Sequence, residues 1–183
     1  MTIIVLVDVD DVITQSVKRW LELYNNDFDD NLNIEDINIW DIASFAKKCD
    51  KKTFFDYIAN PNFYDKVEPI DGSWYGVTRL REMGYRVVFA TSPTIGHEGR
   101  KFQYLCDYGY LDNTHVGKMD YIEATDKSLI QCDYMVDDSP NNILNTDGMP
   151  IIFDRPWNRH LKTEDGFIRA NDWDDVVSWI QEK

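Results

Sequence analysis

Ile3-Ile4-Val5-Leu6-Val7 is a short, β-branched, uninterrupted apolar run, and Asp8-Val9-Asp10 closes it. Such a run reads as a strand buried on both faces, as in a parallel sheet. Val12, Ile13, Val17, Trp20, Leu21 and Tyr24 then recur at helical spacing, which predicts a helix from Val12 to roughly Asn25. From about Asp27 to Lys66 no strong strand pattern appears. Two helical pieces, Ile34 to Ala46 and Thr53 to Ala59, sit there among Asn- and Asp-rich loops, and Asn60-Pro61 stops the second. This stretch reads as a helical subdomain inserted into a sheet pattern.

The pattern resumes at Pro69. Gly72-Ser73 opens a helix that Gly84 ends. Tyr85 to Ala90 is a second buried strand, finishing in Thr91-Ser92-Pro93. A helix follows from about Glu98 to Tyr108. Asp133 to Val136 is a third strand, ending in Asp137-Asp138-Ser139-Pro140, and Pro150 to Asp154 a fourth. Asn171 is read as the cap of a last helix whose first turn holds Asp172, Asp174 and Asp175. Strands alternating with helices predict an α/β fold, a three-layer Rossmann-like parallel sheet carrying a small helical cap. The core is expected from residues 1–14 and 68–183, and the cap from residues 15–67. Trp20, Trp74, Trp173 and Trp179 lie at helical spacing with other apolar residues, and core packing is expected for all four.

The 183 residues suffice for one core with an insertion. Nineteen Lys and Arg against 33 Asp and Glu give a net charge of -14, which repels a nucleic-acid backbone. A small phosphorylated ligand stays compatible, because a bound divalent cation inverts the local charge. Cys49, Cys106 and Cys132 have no metal-type spacing and read as buried free thiols of a reducing compartment. No stretch approaches a membrane span, and no basic region precedes the first apolar run, so the expected location is the cytoplasm.

Three strands thus end in chemically different groups: Asp8 and Asp10, then Thr91-Ser92, then Asp137-Asp138. Lys127 precedes the third. In open α/β sheets, ligands bind at the carboxyl ends of strands. One carboxylate there can attack phosphorus while another moves a proton. Carboxylates alone repel a phosphate, and a hard cation such as Mg²⁺ held by Asp side chains removes that objection. Each part alone has a plainer reading, as a turn, a cap or a surface charge. Their conjunction at successive strand ends points to phosphoryl transfer.

Asp8-Val9-Asp10, Phe89-Ala90-Thr91-Ser92-Pro93, Asp126-Lys127 and Val136-Asp137-Asp138 resemble, in order, the four motifs of haloacid dehalogenase-like phosphatases. Glu68-Pro69-Ile70-Asp71-Gly72, Asp137-Asp138-Ser139-Pro140 and Pro156-Trp157-Asn158 narrow the resemblance to the 5′(3′)-deoxyribonucleotidases. The resemblance implies a phosphoric monoester hydrolase acting on deoxyribonucleoside monophosphates. It implies Asp8 as nucleophile and Asp10 as acid and base. It places Mg²⁺ on the Asp8 carboxylate, the Asp10 carbonyl and Asp138, with Asp137 in support. Thr91, Ser92 and Lys127 would bind the phosphate, and Trp40 would stack on the base. Two positions depart from the family pattern. Asp11 stands where a Gly is usual, and Ser16 stands near the place of a base-contacting Phe. Asp tolerates a left-handed backbone better than most residues.

Other readings are a phosphatase of a sugar phosphate and a phospho-accepting receiver domain. A receiver needs an Asp at the end of a middle strand, where Thr91-Ser92 stands, and it has no place for the insertion. The expected partner is a small nucleotide, with no nucleic-acid polymer and no membrane; a homodimer is compatible with the chain. His97 is read as a surface loop residue near the entrance, and His115 and His160 carry no pattern. Arg100 and Lys101 read as a solvated helix face, with Lys101 placed to attract an anion.

Overall fold

The structure is a computed structural model that describes residues 2–94, 99–112 and 120–182; His97 and His115 lie outside them. The strands are β1 (Ile4–Val7), β2 (Arg86–Thr91), β3 (Tyr121–Glu123), β4 (Tyr134–Asp137), β5 (Met149–Phe153) and β6 (Ile168–Ala170). They form one parallel sheet in the order β3-β2-β1-β4-β5-β6. The expected doubly covered parallel sheet is present. β1 is central, and the strand order turns around it in both directions. That makes a topological switch point beside β1, where an α/β sheet opens a crevice for ligand.

Alternation along β1 divides the core. Val5 and Val7 face the larger cluster, with Val77 and Leu80 from α3 (Ser73–Glu82) and Val176 and Ile180 from α6 (Trp173–Gln181). Leu6 faces the other side with Met135, Ile152 and Phe167. Ile143 of α5 (Pro140–Leu144) joins that second cluster. Three layers result because each buried strand must cover both of its faces. Among the described residues no helix is long and apolar enough to cross a membrane.

Several expectations are corrected. β3 and β6 are edge strands of three residues each, too short to leave an alternation in the sequence. α1 runs Ser16–Phe28 and does not begin at Val12. The Val9 carbonyl accepts from both Ile13 and Thr14 at 3.0 Å, closing a turn, and Asp11 takes φ 55° in it. Ile70 N–H then donates to the Ile13 carbonyl and Gln15 N–H to the Glu68 carbonyl, so these backbone groups pair across the chain and not along a helix. Val12 and Ile13 are core residues all the same. Ile34 to Ala46 forms two short 3₁₀ turns, Ile34–Asp36 and Ile42–Ser44, while α2 (Lys51–Ile58) is the second piece. Asp172, not Asn171, caps α6, accepting from Asp175 N–H. Trp20 and Trp173 are buried, but Trp74 is 53% and Trp179 39% exposed, on the outer faces of α3 and α6. The three cysteines are free thiols but only partly buried.

Gly76 of α3 lies against the Trp173 ring. A Cβ there would stand 2.4 Å from Trp173 Cε3 and 3.0 Å from Cδ2. The indole N–H of Trp173 donates to the Val12 carbonyl at 2.9 Å, so the ring also props the turn after β1. Gly76→Ala is therefore expected to lower stability by about 1–3 kcal/mol, the usual cost of overpacking, despite the better helix propensity of Ala. A thermal melt checks this, and an unchanged or raised midpoint would show that the ring yields freely.

Candidate active site

The carboxyl ends of β1, β2 and β4 open into a cavity of about 480 Å³. Its polar lining includes Asp8, Asp10, Thr91, Ser92, Lys127 and Asp138, and its aromatic and aliphatic lining includes Trp40, Ile42, Ile58, Phe63, Tyr64 and Trp157. Six of the eight residues expected from the sequence to form the site are in the polar lining. Trp40 also lines the cavity, 51% exposed and edge-on to Trp157 at 6.4 Å between centroids. Asp137 lies beneath the cavity, fully buried.

Each side chain is set by local geometry. Asp8 follows β1, and its N–H donates to the Val136 carbonyl of the neighbouring strand at 2.9 Å. Lys127 opens a 3₁₀ turn (Lys127–Leu129) capped by Asp126, whose carboxylate accepts from Ser128 N–H. Its ammonium bridges Asp8 at 2.6 Å and Asp137 at 2.7 Å. Burial works against the Lys127 charge, but the two carboxylates outweigh it and hold the lysine protonated. Asp137 also accepts from Ser139 N–H and the Asn142 amide, at 2.8 and 3.0 Å. Asp138 accepts from the Trp157 indole at 2.9 Å, and Asn158 donates to its carbonyl at 2.9 Å. The turn Pro156–Asn158 after β5 thus braces Asp138, a task that its sequence did not announce.

Asp8, Asp137 and Asp138 each offer an oxygen within 4.8 Å of the others. Burial pushes the Asp8 and Asp138 carboxyls up, and repulsion from neighbouring carboxylates, Asp137 in both cases, adds to it. Lys127 touches only two of the three. Hard oxygen donors with excess buried charge fit a divalent cation, so the cluster could hold one.

Asp10 behaves differently. Burial opposes its charge too, but Lys101 and the hydroxyls of Ser16 and Tyr64 prevail and hold its carboxyl at about 2. Asp11 is pushed up to about 8, chiefly by burial. It replaces the usual Gly without losing the turn, accepting the left-handed backbone while its carboxylate receives Val17 N–H at 3.1 Å. Arg155 Nε donates to its carbonyl at 2.8 Å.

Lys101 is the main correction. It belongs to α4 (Arg100–Asp107) and is 3% exposed, not a solvated side chain. Its ammonium lies 2.6 Å from Asp10, 2.9 Å from Thr91 Oγ1 and 2.8 Å from the Ser92 carbonyl. Tyr64 also escapes the sequence reading, because an aromatic in a loop-rich segment gives no sign of reaching a strand end. Trp40, half exposed, does not anchor a core.

The family model described as 5′ nucleotidase, deoxy (Pyrimidine), cytosolic type C protein matches residues 2–183. A 5′(3′)-deoxyribonucleotidase of Clostridium acetobutylicum is 28% identical, over 91% of this chain and 88% of that one. One from Bacillus subtilis is 27% identical, over 94% and 95%. In structure, the fold is similar to that of a predicted phosphatase from Clostridium acetobutylicum, with TM-score 0.64 and 16% identity over 100% of both chains. A haloacid dehalogenase-like hydrolase from Streptococcus pneumoniae gives 0.67 with 10% identity, over 98% of this chain and 99% of that one. A match that runs from the first strand to the last helix, over strand ends that meet at one acidic cavity, shows that the chain belongs to this deoxynucleotidase family of phosphoric monoester hydrolases, within the haloacid dehalogenase-like fold.

Proposed function

We propose that the protein is a Mg²⁺-dependent phosphatase that hydrolyses deoxyribonucleoside monophosphates to deoxyribonucleoside and phosphate, through an aspartyl-phosphate on Asp8. The convergence of Asp8, Asp10, Thr91, Lys127 and Asp138 on one cavity supports it, in a family whose relatives carry that activity in their names. Mg²⁺ would be held by the Asp8 carboxylate, the Asp10 carbonyl and Asp138, with Asp137 in support, and would neutralise charge on the phosphate oxygens.

The remaining steps belong to the chain. The Asp8 carboxylate attacks phosphorus as the bond to the ribose oxygen breaks. Asp10 gives that oxygen a proton. It then takes a proton from the water that attacks the aspartyl-phosphate, which releases phosphate and restores Asp8. Asp10 rests as a carboxylate, and the negative phosphate brought beside it favours its protonated form. Thr91, Ser92 and Lys127 bind the phosphate oxygens. Residues 15–67 are the cap that covers the nucleoside, and Trp40 stacks on the base. The enzyme works in the cytoplasm, on a free nucleotide.

Phosphate release measured with Mg²⁺ across nucleotides and sugar phosphates tests the assignment. Deoxyribonucleoside monophosphates are expected to have the highest kcat/KM; a sugar phosphate ahead of all of them would overturn it. Trp40→Ala tests the cap. Base stacking on an aromatic contributes roughly 1–3 kcal/mol, so KM for nucleotides should rise about tenfold or more. A phosphate ester without a base should be little affected. Equal loss on both substrates would remove Trp40 from the nucleoside site.

A further inference from the structure

Asp10 carries more side-chain bonds than its neighbours Asp8 and Asp11, and every partner is a donor. Ser16 Oγ donates to Oδ1 at 2.6 Å, and the Tyr64 hydroxyl donates to the same oxygen. Lys101 Nζ lies 2.6 Å from Oδ2. The donors come from separate places. Ser16 opens α1, Tyr64 sits in the turn Phe63–Lys66 that ends the inserted segment, and Lys101 is in the first turn of α4.

Neither Lys101 nor Tyr64 is needed there for packing. The ammonium of a 3%-exposed lysine is costly to bury, and an apolar residue of similar volume would serve stability as well or better. The Tyr64 ring packs edge-on against Phe63 and Tyr104, at 5.3 and 6.0 Å, which a phenylalanine would do equally. What the ammonium and the hydroxyl add is direction: each pins one oxygen of the same carboxylate.

We infer that Lys101 and Tyr64 are positioning residues for the proton-transferring carboxylate, holding Asp10 from the core and from the inserted segment at once. The inference rests on the proposed acid and base role of Asp10. Proton transfer requires the donor oxygen within hydrogen-bond reach of the ester oxygen, and a displacement of about 1 Å costs on the order of 10²-fold. Because Tyr64 belongs to the inserted segment, its hold on Asp10 exists only while that segment is seated on the core, whereas that of Lys101 comes from α4. A nucleotide that seats it would thereby align its own proton donor.

The test compares kcat/KM on two esters. A deoxyribonucleoside monophosphate expels an alkoxide, which needs a proton; p-nitrophenyl phosphate expels a stable phenolate, which does not. Asp10→Asn should lower the alkyl-to-aryl ratio by about 10²-fold or more, the usual scale of general acid catalysis. Tyr64→Phe and Lys101→Met should lower the same ratio by roughly tenfold each, with thermal melts confirming folded protein. Should Lys101→Met fail to fold, Lys101→Gln replaces it, keeping a bond to Thr91 without the charge. A purely structural role would lower both substrates together and leave the ratio alone. If Asp10→Asn shifts the ratio while the Tyr64 and Lys101 variants do not, the positioning role falls and the role of Asp10 stands. If Asp10→Asn does not shift it, both fall.

Discussion

Asp8→Asn is expected to give a folded protein whose phosphate release falls by on the order of 10⁶-fold, the scale seen when a covalent nucleophile is removed. An amide cannot form the acyl phosphate, and no other side chain stands in the same place to do so. The fold should survive. Asn keeps an oxygen for Lys127, and Lys127 keeps its second carboxylate, Asp137, at 2.7 Å, so no buried charge is left uncompensated. Circular dichroism and phosphate release on one preparation check both halves. Turnover within about tenfold of wild type would take the nucleophile's role away from Asp8.

The second large effect is loss of activity to background in excess chelator, with recovery on adding Mg²⁺. Its pH signature is specific. Burial raises the Asp8, Asp138 and Asp11 carboxyls, Asp11 to about 8, above the ordinary carboxylate value near 4. Without a cation, the folded protein therefore holds protons that the unfolded chain has released. That stabilisation is present below about pH 4 and is lost as pH rises through the raised values. Asp10 acts oppositely, but its contribution disappears only on descending toward about 2, outside this range. Chelated protein should thus melt at a lower temperature near pH 8 than near pH 5. Mg²⁺ should raise the melting temperature more at the higher pH, where it meets no competing protons. Full activity in chelator, or a Mg²⁺ effect that does not grow with pH, would refute a metal in this cluster.

The sheet was readable from sequence wherever a strand is buried on both faces. Runs such as Ile3 to Val7 and Tyr85 to Ala90 admit few other states. The three-residue edge strands were not, because their pairing is set by the strand already in place. The polar strand ends were also readable, since Asp8, Thr91 and the pair Asp137-Asp138 follow apolar runs directly. Lys101 was not. A lysine in an amphipathic helix looks solvated unless one knows that the helix start is held against Thr91 and Asp10. Tyr64 and the Trp157 indole were hidden for a related reason, as each acts across the fold on a residue distant in sequence. Trp74 and Trp179 mark the converse limit, because helical spacing alone cannot say which side of an aromatic-rich helix is covered.

The bond from Trp173 to Val12 spans 161 positions, and it has a temporal side. β1 and the turn after it are made before Trp173, which opens α6. Chains are synthesised at roughly 5–20 residues per second, so about ten seconds or more separate the turn from its prop. β1 also waits for β4 to flank it. A nascent chain therefore carries Asp8 and Asp10 long before it can arrange them. Phosphatase activity has to wait for β4 and Trp173, and a chain interrupted before them holds the two carboxylates without the site around them.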